Sequence, residues 1–169
     1  MQRGSQRGTT MIEAAVVFVP FFAIFFGLFD FSVAIFMKNT MQFAARQGVR
    51  YAITSQTMTG LGQDASIKSV IDQYSFGFLN YLAPGPPTTT CQGTGCISIN
   101  YYQQQSGPPP TLTQVTGPGS NAQGNVVQIS ISGLSYAWMV PLLRSSTPLK
   151  FSVSSADIME AQPNGPPSR

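Results

Sequence analysis

The run of apolar residues from Ala14 to Met37 constrains this chain more than any other feature. It is longer than the roughly 20 mainly apolar residues that a helix needs to cross a bilayer, and Asp30 is its one charged residue. A buried helix of a soluble protein and a cleaved signal peptide are the alternatives, but both seldom contain so long a run. We therefore expect a single membrane-spanning helix that anchors a small domain outside the cytoplasm.

The composition argues against catalysis and against binding to nucleic acid. Charged residues make up 9% of the chain, against roughly 25% in typical soluble domains, and the formal net charge is only +3. The chain has no histidine and only six carboxylates, which excludes most general-base and transition-metal chemistry. A hydrolase that pairs Asp157 with Glu160 is the remaining alternative, but nothing indicates a cleft. We expect no enzyme, no cofactor, no metal site and no nucleic-acid partner.

The two cysteines, Cys91 and Cys96, lie close together beyond the apolar run, with glycines between them that allow a tight turn. Two free thiols are possible, but a disulfide is the commoner use of cysteine in exported domains, and we expect one here. A disulfide also favours placing this part of the chain outside the cytoplasm. The basic residues on the two sides of the apolar run are too evenly balanced to decide the orientation.

The remaining pattern predicts an α+β fold in which a long transmembrane helix continues as an amphipathic stalk over residues 9–53. A small domain of one helix and an antiparallel sheet should follow over residues 54–161. Asp64 is the predicted N-cap of the domain's helix, which should end at Pro84. Alternation of apolar and polar residues predicts three strands, centred on Ile99, Ile129 and Phe151.

Proline and glycine mark the connections. Residues 84–96 and 106–125 are predicted to be flexible loops, and residues 162–169 a disordered tail. The stretch from Leu134 to Leu143 is apolar and contains Trp138. Burial in the domain core is its more ordinary fate, and an exposed interaction surface is the alternative.

The residues before the apolar run form a second informative pattern. A short basic leader ends in Gly8, Glu13 follows five residues later, and the apolar helix then begins. This arrangement resembles the processing site of type IV pilins and pseudopilins. The resemblance implies that residues 1–8 are a leader peptide, which a prepilin peptidase removes by cutting between Gly8 and Thr9. It also implies that Glu13 compensates the new amino terminus of a neighbouring subunit; the plainer interpretation is an acid that complements the helix dipole.

Asp30 is the other acid of this segment. At about 1.5 Å per residue it lies about 25 Å beyond Glu13, near the far side of a hydrocarbon core about 30 Å thick. It should either reach interfacial water or pair with a basic group on a partner.

After the apolar run, two faces of the helix differ in character. Ala44, Ala45 and Gly48 lie on a small apolar face, which should allow close packing against the domain or another helix. Basic residues at steps of four, including Arg46 and Arg50, form a face that is either solvated or in contact with lipid headgroups or an acidic partner.

These motifs together resemble the signature of TadE-like proteins. The matching residues are the pair Asp30-Phe31 and, farther on, Ala44-Ala45-Arg46-Gln47-Gly48-Val49-Arg50-Tyr51-Ala52. Val33 and Phe43 depart from the common pattern. The resemblance implies a minor pilin or pseudopilin of the tight-adherence (Flp, type IVc) pilus system. Its partners would be the bilayer, the prepilin peptidase, other pilins and pilus-assembly proteins.

The resemblance also implies a location in the bacterial cytoplasmic membrane, with the N-terminus in the cytoplasm and the domain outside, and possible incorporation into the pilus. A membrane-anchored extracytoplasmic binding module unrelated to pili is the alternative. That alternative requires neither Gly8 nor Glu13.

Overall fold

The computed structural model describes residues 6–83, 93–108, 110–139, 147–162 and 165–169. Within these ranges the elements are helices α1 Gln6–Ile53, α2 Gln63–Tyr74 and α3 Phe78–Leu82, a 3-10 turn Gly93–Cys96, and strands β1 Ile97–Gln105, β2 Thr111–Val115, β3 Val126–Tyr136 and β4 Leu149–Ile158. The chain divides into two compact units: Met1–Phe36 with Ala137–Leu149, and Met37–Tyr136 with Lys150–Arg169. The predicted α+β fold is confirmed.

Helix α1 runs without a break through Pro20 to Ile53. Its Thr10–Ile53 part is long and apolar enough to cross a membrane, and none of its most apolar window is buried within the protein. Large apolar side chains such as Phe21, Ile24 and Leu28 are exposed along it. Exposed apolar surface on this scale marks contact with lipid or with other chains. The long helix predicted from the apolar run is therefore confirmed, and it is compatible with a single-pass anchor.

The end of α1 is closed by hydrogen bonds from three separate parts of the chain. The last four carbonyl groups of a helix have no partner inside it. Here each one accepts a hydrogen bond from outside the helix: those of Arg50 and Tyr51 from Thr54 Oγ1 (3.3 and 3.1 Å), that of Ala52 from Gln63 Nε2 (3.0 Å), and that of Ile53 from the Glu160 backbone N–H (3.2 Å). These donors take the place of the backbone N–H groups that a further turn of helix would supply, so the helix can end at Ile53.

The domain's predicted helix is two helices, and its predicted N-cap is wrong. Gly62 is the N-cap of α2 and makes no side-chain cap, while the Gln63 N–H donates to the carbonyl oxygen of Ser168 (2.8 Å). The Asp64 carboxylate is therefore not needed as a cap. Positive φ angles at Phe76 and Gly77 separate α2 from α3.

The strands form one antiparallel sheet in the order β2-β1-β3-β4. Strands β1 and β3 pair with Ile97 opposite Ile131, and the three strands predicted from alternation are confirmed. Strand β2 lies inside the predicted loop 106–125 and pairs with β1, so that loop prediction is wrong at Thr111–Val115. In the other predicted loop, residues 93–96 form a 3-10 turn, and residues 84–92 lie outside the described ranges.

The alternation of buried and exposed residues in β3 shifts by one position at Gly133. Val127, Ile129 and Ile131 are buried before this glycine, whose φ is +76°, and Leu134 and Tyr136 are buried after it. A glycine in this conformation lets one extra residue enter the strand, which shifts the alternation by one. The first residues of the apolar stretch 134–143 therefore belong to the core, as expected, but residues 140–143 lie outside the described ranges.

The predicted small face of α1 packs inside the domain. Ala44 and Ala45 are fully buried. At Gly48 an added Cβ would lie 2.5 Å from Cγ1 of Ile71 in α2 and 3.3 Å from Cδ1 of Ile129 in β3. Only a residue without a side chain permits this approach, so the prediction of close packing is confirmed.

Replacing Gly48 by alanine tests this contact. Alanine favours the helix by about 1 kcal/mol, but forcing a methyl group into a packed core costs about 1–3 kcal/mol. We expect Gly48→Ala to lower the melting temperature by about 2–4 °C, which corresponds to about 1 kcal/mol for a chain of this length. The measurement is thermal unfolding of the full chain in mild detergent, followed by circular dichroism.

The control is the same substitution in an Ile71→Ala background, where the space beside Gly48 is empty. There Gly48→Ala should raise the melting temperature, because only the gain in helix propensity remains. A loss of the same size in both backgrounds would contradict the proposed contact.

Candidate functional site

The predicted processing and assembly residues lie at the beginning of α1. Gly8 and Thr9 are within the helix, and Glu13 is an exposed residue one turn farther on. Among the described residues, none pairs with the Glu13 carboxylate. An exposed acid at the border of an apolar helix remains available to a partner outside the chain. Cleavage between Gly8 and Thr9 stays a prediction.

Asp30 has a partner within its own chain, which neither sequence-based expectation included. Its side chain is only 1% exposed, and its Oδ2 accepts a hydrogen bond from the backbone N–H of Met139 at 2.9 Å. A carboxylate in an apolar region is costly unless such donors satisfy it. Asp30 therefore joins α1 to the segment Ala137–Met139 of the same compact unit.

The family signature has an inner and an outer face. Ala44, Ala45 and Gly48 are buried in the domain, so their small size serves packing. Outside this core, Phe31, Arg46 and Arg50 are exposed, and Tyr51 is half-buried. These four side chains, rather than the small residues, are the part of the signature that a partner can contact.

The basic face is interrupted by one structural residue. Lys38, Arg46 and Arg50 are exposed, whereas Nε2 of Gln42 donates to the carbonyl oxygen of Ser154 in β4 (2.8 Å). The exposed cations can bind lipid phosphates or an acidic partner.

The sequence patterns gave no sign of a polar cluster in the domain that follows α1. Oδ1 of Asp64 accepts a hydrogen bond from the Tyr101 hydroxyl (2.9 Å), and Oδ2 pairs with Arg169 (2.8 Å). The Arg169 guanidinium also stacks over the Tyr101 ring, 4.6 Å from its centroid, and donates to Oγ of Ser120 (2.6 Å). The disordered tail predicted for residues 162–169 is therefore wrong at residues 165–169, because this segment is hydrogen-bonded to the domain.

The tail and the loop after β2 border an open cavity of about 570 Å³. It is lined by residues 117–119 and 166–169 together with Asp64. The side chains of Asp64 and Arg169 pair with each other at its wall, and the rest of the lining is mainly glycine backbone and proline rings. Such a surface suits a neutral polar ligand better than an ion.

The cluster also changes the acidity of Tyr101. Burial raises the pKa of the phenol well above its ordinary value of 10.0, and the Asp64 carboxylate raises the pKa further through its charge and its hydrogen bond. The nearby Arg169 lowers the pKa and offsets part of this effect. The folded domain therefore keeps Tyr101 neutral at pH values where an unfolded chain ionises it.

Of the two cysteines in the predicted disulfide, the structure describes Cys96. Cys96 is buried at the end of the 3-10 turn, and Cys91 lies outside the described residues. The pairing of Cys91 with Cys96 stays a prediction.

Alkaline titration tests the Tyr101 environment. Because the pKa is raised in the folded state, the stabilisation is complete below pH 10 and is lost as the pH rises above it, by up to about 1.4 kcal/mol per pH unit. We expect Tyr101→Phe to remove this part of the pH dependence, measured by urea unfolding of the full chain in detergent between neutral pH and pH 11.

The matched control is Tyr81→Phe, since Tyr81 is an exposed tyrosine of the same domain. It should retain the wild-type slope of the free energy of unfolding against pH. If wild type and Tyr101→Phe lose stability in parallel above pH 10, the described environment of Tyr101 is incorrect.

Comparison with known families matches residues 8–50 to the family described as TadE-like protein. The match begins at Gly8 and includes Glu13, Asp30 and the signature as far as Arg50. No curated protein and no solved structure gives a significant match. The resemblance inferred from the motifs is therefore confirmed. Residues 8–50 of the chain are thus similar to the TadE-like family.

Proposed function

We propose that this chain is a minor pilin or pseudopilin that takes part in assembling a tight-adherence (Flp, type IVc) pilus for surface attachment, and that it catalyses no reaction. The observation that carries the proposal is the beginning of α1 within the TadE-like segment. There an exposed acid, Glu13, precedes an exposed apolar helix. A pilus subunit needs both features, because its helix must leave the bilayer and pack among other subunits.

Helix α1 is the single-pass anchor in this proposal. The N-terminus lies in the cytoplasm and the domain lies outside the bacterial cytoplasmic membrane. The exposed apolar window supports the anchor, and the cysteines of the domain favour the orientation. The partners are the prepilin peptidase, other pilins and pilus-assembly proteins.

Glu13 is the proposed contact between subunits. Removing residues 1–8 creates a free amine at Thr9, and a carboxylate at the edge of an apolar region is stabilised by such a cation. Asp30 was the second candidate, but its carboxylate already accepts the Met139 N–H. We therefore assign the intermolecular role to Glu13 and an intramolecular role to Asp30.

A membrane-anchored binding module is the second candidate function. The cavity beside Asp64 and Arg169 favours it, because a cavity of that volume can hold a small ligand. The two functions differ in what they require: ligand binding in the outer domain needs neither the cut after Gly8 nor the charge of Glu13.

Peptidase processing is the first test. Full-length protein is expressed in membranes with and without a prepilin peptidase, and its intact mass is measured. We expect a loss equal to the mass of residues 1–8 only when the peptidase is present. The variant Gly8→Leu should keep the full mass, because a bulky residue replaces the glycine at the cut.

Gly4 supplies the matched control, since it lies in the same basic leader. Gly4→Leu should be processed as the wild type is. An unchanged mass of the wild-type chain with an active peptidase would refute the proposed cleavage.

Charge removal at Glu13 is the second test. We expect Glu13→Gln to reduce the yield of sheared pili by about tenfold or more, because losing one buried charge pair costs well above 1.4 kcal/mol. The variant should still be inserted in the membrane and processed. Glu160→Gln makes the same chemical change at an exposed position of the domain, and should leave pilus yield at the wild-type level. Normal piliation of Glu13→Gln would favour the binding-module alternative.

A further inference from the structure

The segment after β3 belongs with the apolar half of α1. The chain leaves the sheet after Tyr136 and returns to it at β4. Ala137–Leu149, which ends at the first residue of β4, belongs to one compact unit with Met1–Phe36. Within the described part of this unit, the hydrogen bond from the Met139 N–H to Asp30 joins the segment to the helix.

The position of Asp30 along α1 gives the depth of this contact. With α1 spanning the bilayer, as proposed above, Asp30 lies about 25 Å from Glu13 in a hydrocarbon core about 30 Å thick. The segment Ala137–Met139 is therefore at the edge of the core on the side of the domain. The compact unit ends at Phe36, six residues after Asp30 along α1 and two residues before Lys38.

At that depth the two bonded groups need each other. Backbone that is not helical is tolerated in a membrane only where its polar groups have partners within the protein. An acid in the same region is equally costly unless donors satisfy it. The hydrogen bond between Asp30 and Met139 helps to meet both requirements, and it sets the position of the segment along the helix.

The side chains around this bond suit a lipid environment. The Met139 side chain is 55% exposed, and the neighbouring α1 residues Phe31 and Ile35 are exposed as well. Trp138 is half-buried, and tryptophan is enriched at the membrane–water interface because its indole is apolar with one polar N–H. An exposed apolar surface at this depth faces acyl chains on one side and headgroups on the other.

We propose that the segment Ala137–Met139 is a second membrane contact of this protein. Asp30 holds the segment against α1, so that Trp138 and Met139 lie at the boundary between headgroups and acyl chains of the leaflet on the domain side. This contact depends on the membrane anchor but not on pilus assembly, so an isolated subunit forms it.

Trp138 allows a direct test, because it is the only tryptophan of the chain. Full-length protein is reconstituted into phosphatidylcholine vesicles, and the fluorescence is quenched in three ways: by bromine near the headgroup end of the acyl chains, by bromine near their terminal methyl groups, and by aqueous iodide. We expect the strongest lipid quenching from the bromine near the headgroups. Iodide quenching should be several-fold weaker than for the chain unfolded in urea.

The opposite pattern would overturn the proposal: iodide quenching as strong as in the unfolded chain, with no quenching by either brominated lipid. Extraction with alkaline carbonate separates this failure from failure of the anchor. A chain that carbonate removes from the vesicles lacks the membrane-spanning helix itself. A chain that stays in the vesicles while Trp138 is in water overturns the second contact alone.

Variants at Asp30 test the holding role. Asp30→Ala removes the acceptor and should raise iodide quenching of Trp138 several-fold. Asp30→Asn keeps a carbonyl oxygen that accepts the Met139 N–H, and should remain close to wild type. Asp157→Ala, at an exposed acid in β4, is the control for removing a carboxylate. Equal quenching in all three variants would show that Asp30 does not hold the segment.

Discussion

The packing of the domain depends on the contact at Gly48. Because this residue has no side chain, Ile71 and Ile129 reach the backbone of α1, and one helix and one strand can share its surface. The fully buried Ala44, Ala45 and Ala52 extend the same face along the helix. The helix that is exposed and apolar in its first half thus serves as a core element of a domain in its second half, which explains the small residues on that face.

This arrangement separates two roles within a short family signature. The alanines and Gly48 face the domain, whereas Arg46 and Arg50 face outward. A substitution at a buried position of the signature therefore changes the stability of the domain. A substitution at an exposed position changes the binding of lipid or of a partner. Loss of function at either set would look alike in a cell, although the physical causes differ.

Elements that repeat a burial pattern were predictable from the sequence. The apolar run and the small face predicted α1, and the alternation around Ile129 predicted β3. Strand β2 was missed because it is an edge strand with mostly exposed side chains, so it carries no alternation. The break between α2 and α3 was missed because it depends on a positive φ at Phe76, a conformation that few residues other than glycine adopt.

The residues of the candidate site also differ in whether the sequence alone could identify them. Gly8, Glu13 and the signature lie close together in the chain, so a local pattern could identify them. Asp30 and Met139 are 109 positions apart, and Asp64 and Arg169 are 105 positions apart. Pairs at such separations leave no periodic pattern, and nothing beside either residue in the sequence indicates its partner. Only the folded chain brings them together.

The hydrogen bonds at the end of α1 have a consequence for the order of biogenesis. The helix can form as soon as it is synthesised, but the Ile53 carbonyl accepts its hydrogen bond only after Glu160, which lies beyond β4, has been synthesised. Until then β3 also lacks its neighbour β4 and presents an open edge. The last turn of α1 is therefore complete only after the whole domain has been synthesised, and a chain stalled before that point displays a sheet edge prone to aggregation.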